Sequence, residues 1–168
     1  MQLIENISQC DIILMCGPPL SGKTYLYDLI LKNSQFTKIS EKLSVFNIYT
    51  LGQYALQSGN KIIIDRRSAS AFERLKWINL AKKMKVSIGF IHMNTGQDYI
   101  LNNYDSVQLD EVKKLDLRFQ IDKYYKDFRA PDEVELDGYD AYLQLNTLLT
   151  IDEINQLDKN YKLFTKHG

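Results

Sequence analysis

The sequence contains few of the residues that mark specialised protein classes. It has only two cysteines, Cys10 and Cys16, with three prolines and eight glycines among 168 residues. Two cysteines six positions apart match no metal-ligand spacing, so we expect buried, idle thiols in a reducing compartment. Scarce proline and glycine argue against long disordered linkers. A single domain over residues 1–168 is therefore the economical prediction.

An excess of charge of one sign is missing, and so are long apolar runs. Lys and Arg total 21 and so do Asp and Glu, which gives a net charge of zero. No overall field therefore draws the chain to duplex DNA or to a membrane. The longest apolar runs have five or six residues, whereas a membrane-spanning helix needs about 20. The N-terminus, MQLIENISQCD, has no basic stretch before an apolar one, which predicts no signal peptide and a cytoplasmic protein.

Short, β-rich apolar runs alternate with helical patterns through the first half of the chain. The runs are DIILMC (11–16), KIIID (61–65), VSIGFIHM (86–93) and the weaker FTKIS (36–40). Helical patterns cover 23–33, 43–58 and 71–85, and the last opens on a capping box of Ser70 and Glu73, with Ala71, Leu75, Ile78 and Ala81 as its apolar stripe. Strands of this kind separated by helices predict a parallel sheet with helices on both faces.

The pattern changes after Met93. Residues 94–106 are polar and partly loop-like, and residues 109–128 predict a long amphipathic helix. The inward positions predicted for that helix are Val112, Leu115, Phe119 and Tyr124. After an acidic connection at 130–138, YDAYLQL (139–145) alternates like a strand, and Thr150 and Glu153 cap a last short helix. We expect a helical lid over about 94–118.

The segment GPPLSGKT matches the phosphate-loop pattern G-x-x-x-x-G-K-[ST], between a predicted strand and a predicted helix. Its glycines let the backbone curl so that N–H groups face inward and bind anionic oxygens. Lys23 can reach the β- and γ-phosphates, and the Thr24 hydroxyl can ligate Mg²⁺. The predicted ATP-binding residues are Gly17, Pro18, Pro19, Leu20, Ser21, Gly22, Lys23 and Thr24. The predicted fold class is an α/β P-loop NTPase of nucleotide-kinase-like form.

Asp65 ends the apolar run KIIID. An acid at this point of a P-loop fold holds Mg²⁺ directly or through water, together here with Thr24. A strand-terminal Asp that caps the next turn is the structural alternative. The chain is too short for the extra machinery of a helicase or transporter ATPase, and it lacks the N-K-x-D guanine motif, so a small P-loop kinase is the leading class.

From Cys16 to about Tyr139, roughly three quarters of its length, the chain resembles the kinase module of polynucleotide 5′-kinases. The matching segments are CGPPLSGKTYL, FTKISEKL, the stretch from ALQSGNKIIIDRRSAS to IHM, and DFRAPDEVELDGYD. The resemblance implies transfer of the γ-phosphate of ATP, with Mg²⁺, to the 5′-hydroxyl of a single-stranded DNA or RNA end.

The matched motifs imply site residues by position. Lys23 and Thr24 match fully. Where the family has an N-R-D-x-L-like stretch after its second strand, this chain reads SEKL, which places Glu41 as the base that accepts the hydroxyl proton. A solvated Glu at a helix start is the structural alternative. Together with Asp65 from the strand KIIID, the candidate catalytic residues are Lys23, Glu41 and Asp65.

Two departures from the family concern arginines. After the strand Asp this chain reads DRRS, so Arg66 and Arg67 could bind phosphate bidentately or lie on the surface without a ligand. The lid arginines, which stabilise charge on the transferring phosphoryl group, are replaced by Tyr104 and Asp105. The candidate replacements are Lys113, Lys114 and Arg118, besides the two arginines of DRRS.

The uneven distribution of charge is compatible with a nucleic-acid acceptor. Residues 61–85 contain eight cations and two acids, whereas residues 132–140 contain five acids and no cation. Such polarity could guide a single strand into a cleft. The solvated face of an amphipathic helix is the alternative explanation.

Three hypotheses remain open. The first is an ATP- and Mg²⁺-dependent kinase of a polynucleotide 5′-hydroxyl. The second keeps the chemistry but moves the acceptor to a hydroxymethyl group on a modified DNA base or to a nucleoside. The third is a nucleotide-binding module that has lost transfer together with its lid arginines and works through a partner.

Overall fold

A six-stranded sheet forms the centre of the molecule, and the computed structural model describes residues 6–28, 36–40, 45–146 and 164–165. The strands are β1 (Ile12–Cys16), β2 (Phe36–Ser40), β3 (Lys61–Asp65), β4 (Ile88–Met93), β5 (Ala141–Leu145) and β6 (Phe164–Thr165). Their order is β2-β3-β1-β4-β5-β6. The first five are parallel, and β6 is antiparallel to β5. The predicted α/β architecture is confirmed.

Helices connect the parallel strands. They are α1 (Lys23–Leu26), α2 (Val45–Gln57), α3 (Ala71–Met84), α4 (Gln97–Ser106), α5 (Glu111–Asp127) and α6 (Glu133–Leu136). At the start of α3 the Ser70 side chain accepts a hydrogen bond from the Glu73 amide, as the capping box predicts. No helix in the described ranges is long and apolar enough to cross a membrane. The last predicted helix, with Thr150 and Glu153, lies outside the described residues.

The core has two halves because successive strand residues point to opposite faces of the sheet. On β1, Ile12 and Leu14 pack into the half that α2 and α3 cover, whereas Ile13 packs into the half that receives Leu26 of α1. Trp77 of α3 is fully buried in the first half. Strands with both faces buried are apolar throughout, which explains why the sequence signal was clear.

Both cysteines are free and buried. Burial raises the pKa of the Cys10 thiol and of the Cys16 thiol to about 11. Both side chains are therefore uncharged at neutral pH and unreactive as nucleophiles. This confirms the expectation of buried, idle thiols.

The predicted apolar stripe of α3 is half wrong. Ile78 and Ala81 are buried, but Ala71 is exposed and 47% of Leu75 is accessible to solvent. The helix is rotated so that it buries Arg74, together with Trp77, Leu80 and the two correctly predicted residues. The apolar spacing gave the wrong interior face because the charged side chain of Arg74 belongs to that face.

The segment after β4 also differs from expectation. Residues 97–106 form helix α4, although a polar, partly loop-like segment was predicted, and Ile100 anchors that helix in the interior. On α5, Tyr124 is buried as predicted, whereas the side chains of Val112, Leu115 and Phe119 are 78%, 70% and 61% exposed. The buried residues of α5 are Ile121 and Tyr124, both in its C-terminal half, so the first half does not contribute to the core.

Arg74 is completely buried and forms an ion pair with Glu135, whose side chain is 8% exposed. Its Nε and Nη2 donate to the two carboxylate oxygens of Glu135 at 2.9 and 3.0 Å. The Tyr139 hydroxyl donates to Glu135 Oε2 at 2.7 Å. The cationic segment 61–85 and the acidic segment 132–140 thus meet inside the protein, in one bidentate pair.

Backbone carbonyls satisfy the rest of the Arg74 guanidinium. Nη1 donates to the carbonyls of Ser68 and Ala69 at 3.0 and 2.8 Å, and Nη2 donates to the Arg129 carbonyl. The Arg74 side chain therefore joins the loop after β3 to the segment that follows α5. This loop is also the one that holds Arg66 and Arg67.

Replacing Arg74 by Met should destabilise the protein strongly, because it leaves the Glu135 carboxylate buried without its cation. We expect the free energy of unfolding in urea to fall by about 3–5 kcal/mol. Lys82→Met, an exposed change on the same helix, should alter it by less than about 0.5 kcal/mol. The double variant Arg74→Met/Glu135→Gln should recover part of the loss. Equal losses of stability in Arg74→Met and Lys82→Met would contradict a stabilising role of the Arg74–Glu135 pair.

Candidate functional site

A cavity of about 530 Å³ opens at the carboxyl ends of β1, β2 and β3. In open α/β sheets this edge is where ligands bind. The lining residues are Pro19, Leu20, Ser21, Gly22, Lys23, Thr24, Tyr25, Lys38, Ser40 and Asp65. Most of the predicted phosphate loop is therefore in the wall of this cavity.

The backbone of the loop uses glycine where the geometry demands it. Gly22 has φ of 92° at the start of α1, a left-handed conformation that suits glycine. Leu20 is also left-handed, with φ of 63°. A Cβ on Gly17 would lie 2.7 Å from Met93 Cβ and 2.8 Å from Ser21 Oγ, so β4 approaches too closely to admit a side chain.

Lys23 turns back over the loop. Its Nζ donates to the carbonyls of Gly17 and Pro18 at 2.7 and 2.9 Å, and the side chain is buried. The Ser21 hydroxyl is buried too and has no hydrogen-bond partner among the described residues. A buried ammonium next to an unsatisfied hydroxyl suits an anionic oxygen from a ligand.

Asp65 lies at the end of β3, where it contacts the phosphate loop. Its Oδ2 accepts a hydrogen bond from Thr24 Oγ1 at 3.4 Å and pairs with Lys38 Nζ at 3.1 Å. No motif in the sequence marks Lys38 as a site residue. The available signal was a cation inside the β-rich run FTKIS, two positions before the run ends at the site.

The loop after β3 supports the phosphate loop. The Arg67 carbonyl accepts a hydrogen bond from the Gly17 amide at 3.0 Å. Ser68, the next residue, is left-handed with φ of 49°, and its carbonyl also accepts from Cys16 Sγ at 3.3 Å. Left-handed non-glycine residues are therefore present in both loops that frame the site, as is common where strain serves function.

Arg66 and Arg67 do not line the large cavity but a smaller one of about 80 Å³. Its wall consists of Arg66, Arg67, Ser68, Ala69, Glu73, Lys123, Tyr124 and Asp127. Arg66 also donates to the Ser40 carbonyl at 3.5 Å, and Arg67 donates to Gln120 Oε1. Lys123 joins this group from α5, and no local sequence pattern had indicated it.

The region predicted as a lid is in contact with the phosphate loop through α4, where Asn103 Nδ2 donates to the Leu20 carbonyl at 3.4 Å. The candidate lid cations are elsewhere. Lys113 and Arg118 are exposed on α5, where they pair with Asp110 and Asp122. Neither residue lines either of the two cavities. Glu41, the predicted base, lies outside the described residues.

His92 is buried beside the site at the end of β4, where it pairs in register with Cys16. Neither ring nitrogen has a hydrogen-bond partner among the described residues. Its ring packs against the rings of Phe90 and Phe128, with centroids 6.0 and 5.3 Å away. Burial, and then the charge of Arg74, lower the pKa of His92 to about 4, so it is neutral at physiological pH.

A parallel sheet with a phosphate loop after its central strand and flanking helices is the fold of P-loop nucleoside triphosphate-binding proteins. Two solved structures have the same fold. Kti12 from Chaetomium thermophilum, in complex with ADP-AlF3, has a TM-score of 0.56 at 15% identity, covering 88% of this chain and 96% of its own. A proposed kinase from Chloroflexus aurantiacus has a TM-score of 0.56 at 13% identity, covering 90% and 97%.

Sequence comparisons add less. No protein-family model matches the chain. Ketol-acid reductoisomerases (NADP(+)) of three Haemophilus influenzae strains are 25% identical to it over 96 residues. That match covers 57% of this chain, which spans 19% of the length of those relatives. A match of this extent assigns neither a family nor an activity.

Replacing Gly17 by Ala should distort the phosphate loop, because the new methyl group overlaps Met93 and Ser21. We expect the free energy of unfolding to fall by about 1–3 kcal/mol, with weaker binding of inorganic phosphate or nucleotide in calorimetry. Gly96→Ala is the matched control, because its Cβ meets nothing within 4 Å. Equal behaviour of the two variants would contradict the close approach of β4.

His92 should make the protein sensitive to acid. Because its folded pKa is about 4, the unfolded chain binds a proton between pH 6.5 and 4 that the folded protein does not. Stability should therefore fall as the pH falls through this window, by at most about 3 kcal/mol. For His92→Phe, the free energy of unfolding in urea should fall less steeply with decreasing pH across this range than it does for the wild type. Parallel pH curves for the two proteins would refute the assignment.

Proposed function

We propose that this chain is an ATP- and Mg²⁺-dependent phosphotransferase that passes the γ-phosphate to a hydroxyl group. The observation that carries the proposal is the convergence of Lys23, Thr24 and Asp65 on one cavity at the carboxyl edge of the sheet. Its volume of about 530 Å³ is within the range of small-molecule sites. The neighbouring fold of Kti12, which holds ADP-AlF3, supports a nucleotide in this loop.

The residues present fit a magnesium ion. Thr24 Oγ1 and Asp65 Oδ2 are 3.4 Å apart, near the roughly 3 Å between adjacent ligands of an octahedral ion. Within the described ranges, no group of three or more His, Cys, Asp or Glu side chains could hold a metal. Mg²⁺ suits such a site, since it takes one or two protein oxygens and completes its shell with phosphate and water. When bound, it supplies neutralisation of phosphate charge.

The chain's own residues then divide the work. Lys23 stabilises the negative charge on the β- and γ-phosphates. The acceptor oxygen forms a bond to the γ-phosphorus, the bond to the β,γ-bridging oxygen breaks, and ADP leaves with that electron pair. We assign the acceptor's proton to Glu41 from the sequence alone, where it directly follows Ser40, a residue of the cavity wall. Catalysis rests on positioning and electrostatics, as is usual for this reaction.

The acceptor that we propose is the 5′-hydroxyl of a polynucleotide. Arg66, Arg67 and Lys123 line a second cavity. The Arg67 carbonyl accepts a hydrogen bond from the amide of Gly17, the first residue of the phosphate loop. We assign a backbone phosphate of the acceptor to these cations. The same arrangement suits a phosphate next to a hydroxymethylated DNA base, or a nucleoside carrying a phosphate of its own.

A nucleotide-binding module without transfer is the second candidate. The observation that favours it is the location of Lys113 and Arg118, which form exposed pairs outside both cavities. If no other cation reaches the γ-phosphate, the transition state loses a stabilising charge that in related enzymes accelerates transfer by orders of magnitude.

Transfer of labelled γ-phosphate from ATP to a 5′-hydroxyl oligonucleotide tests the proposal. We expect label at the 5′ end of single-stranded DNA or RNA, and a rate about 10²–10³-fold lower for Lys23→Ala, because one preorganised charge is lost. Lys83→Ala, an exposed change on α3, should retain the wild-type rate.

The other outcomes separate the alternatives. Label on a hydroxymethylated base or on a nucleoside, with none at the 5′ end, would keep the kinase and reject the polynucleotide 5′-hydroxyl. Tight, Lys23-dependent ATP binding with no label on any acceptor would reject transfer and leave the binding module.

A further inference from the structure

We infer that Lys38 is a second phosphate-binding cation of the site. Its ammonium group pairs with Asp65 until a nucleoside triphosphate binds, and then pairs with the γ-phosphate. The inference rests on the proposed function and deepens it, since it identifies a residue that takes the place of the missing lid arginines.

The sheet register places Lys38 on the cavity side. Ser40 pairs with Asp65 across the parallel strands β2 and β3, and Lys38 pairs with Ile63. Since residues two apart on a strand share a face, Lys38 and Ser40 point the same way, and both line the cavity. Ile39 between them points to the opposite face and is buried in the core.

The ammonium group of Lys38 reaches the carboxyl edge of the sheet. Its Nζ lies 3.1 Å from Asp65 Oδ2 and 4.8 Å from the centre of the Tyr27 ring. The side chain is 32% exposed, so it is neither locked in the core nor free in solvent. Lys23 and Lys38 are the two cations in the described cavity wall, one on the phosphate loop and one on β2.

The pairing with Asp65 is suited to exchange. Asp65 Oδ2 is also the oxygen to which Thr24 Oγ1 donates, and thus the oxygen expected to face a metal ion. A divalent cation at this position would repel the ammonium and compete for the same carboxylate. Partly exposed ion pairs are weak, whereas a charged donor on a phosphate oxygen in a sheltered cavity forms a strong hydrogen bond. Because Lys38 and the phosphate loop line the same cavity, the terminal phosphate is the anion that we assign to the released ammonium.

Discrimination between di- and triphosphate is the property that a merely structural lysine would not affect. Isothermal titration calorimetry with Mg²⁺ should compare ADP with an ATP analogue that has a β,γ-imido bridge. We expect Lys38→Met to weaken binding of the triphosphate by about tenfold more than binding of ADP, because a charged hydrogen bond to the γ-phosphate is lost. Lys38→Arg should restore most of the difference.

Lys61→Met is the matched control. Lys61 is also a strand lysine, with its ammonium 3.1 Å from the Gln9 carbonyl and 5.8 Å from the centre of the Phe36 ring. It is at the opposite end of β3, away from the cavity. Its removal should change the affinities for the two nucleotides equally or not at all. Urea unfolding of each variant shows whether it is folded before titration.

The outcomes distinguish the two levels of the proposal. If the wild-type protein binds no nucleotide, or if Lys23→Ala binds as well as wild type, the proposed function and this inference both fail. If wild-type binding depends on Lys23 but Lys38→Met keeps the wild-type ratio of the two affinities, only the role of Lys38 is overturned.

Discussion

The buried guanidinium of Arg74 is the constraint on which the loops around the site depend. A charge taken out of water must be paired and fully hydrogen-bonded, and here Glu135 and three backbone carbonyls meet that requirement. Two of those carbonyls belong to the loop after β3. The Arg67 carbonyl in the same loop accepts a hydrogen bond from the Gly17 amide. The position of the phosphate loop therefore depends on the Arg74–Glu135 pair, which fixes the loop after β3.

The site is also preorganised at its own backbone. Leu20 and Ser68 have left-handed conformations, which cost of order 1–3 kcal/mol each and persist only where surrounding contacts impose them. The contacts at Ser68 come from Cys16 and Arg74. A ligand therefore meets a loop that is already shaped, and the entropy of ordering it has been lost during folding and not during binding.

The sequence was sufficient where the signal is local or where burial is two-sided. The apolar runs predicted the parallel strands, and GPPLSGKT with KIIID predicted that Lys23, Thr24 and Asp65 would converge. It was insufficient where tertiary pairing decides. An arginine such as Arg74 normally indicates a solvent-facing helix position, and only its pairing with Glu135 explains its burial. The apolar spacing of Val112 and its neighbours on α5 predicted a core face, but that face is exposed. Lys38 could be assigned to the cavity only from the register of β2 with β3.

The order of the strands has a consequence for how the protein forms during synthesis. β1 is central, and its partners are distant in the chain, with Ile12 pairing with Ile62 on one side and Ile88 on the other. Contacts of such long range form slowly, since the loop between them must close first. The phosphate loop leaves the ribosome before Arg67, which follows β3, and before Met93 of β4, and both residues contact it in the folded protein. Both edges of the apolar strand β1 are open before β3 emerges, and one edge stays open until β4 follows. An open apolar edge is the kind of segment that chaperones shield.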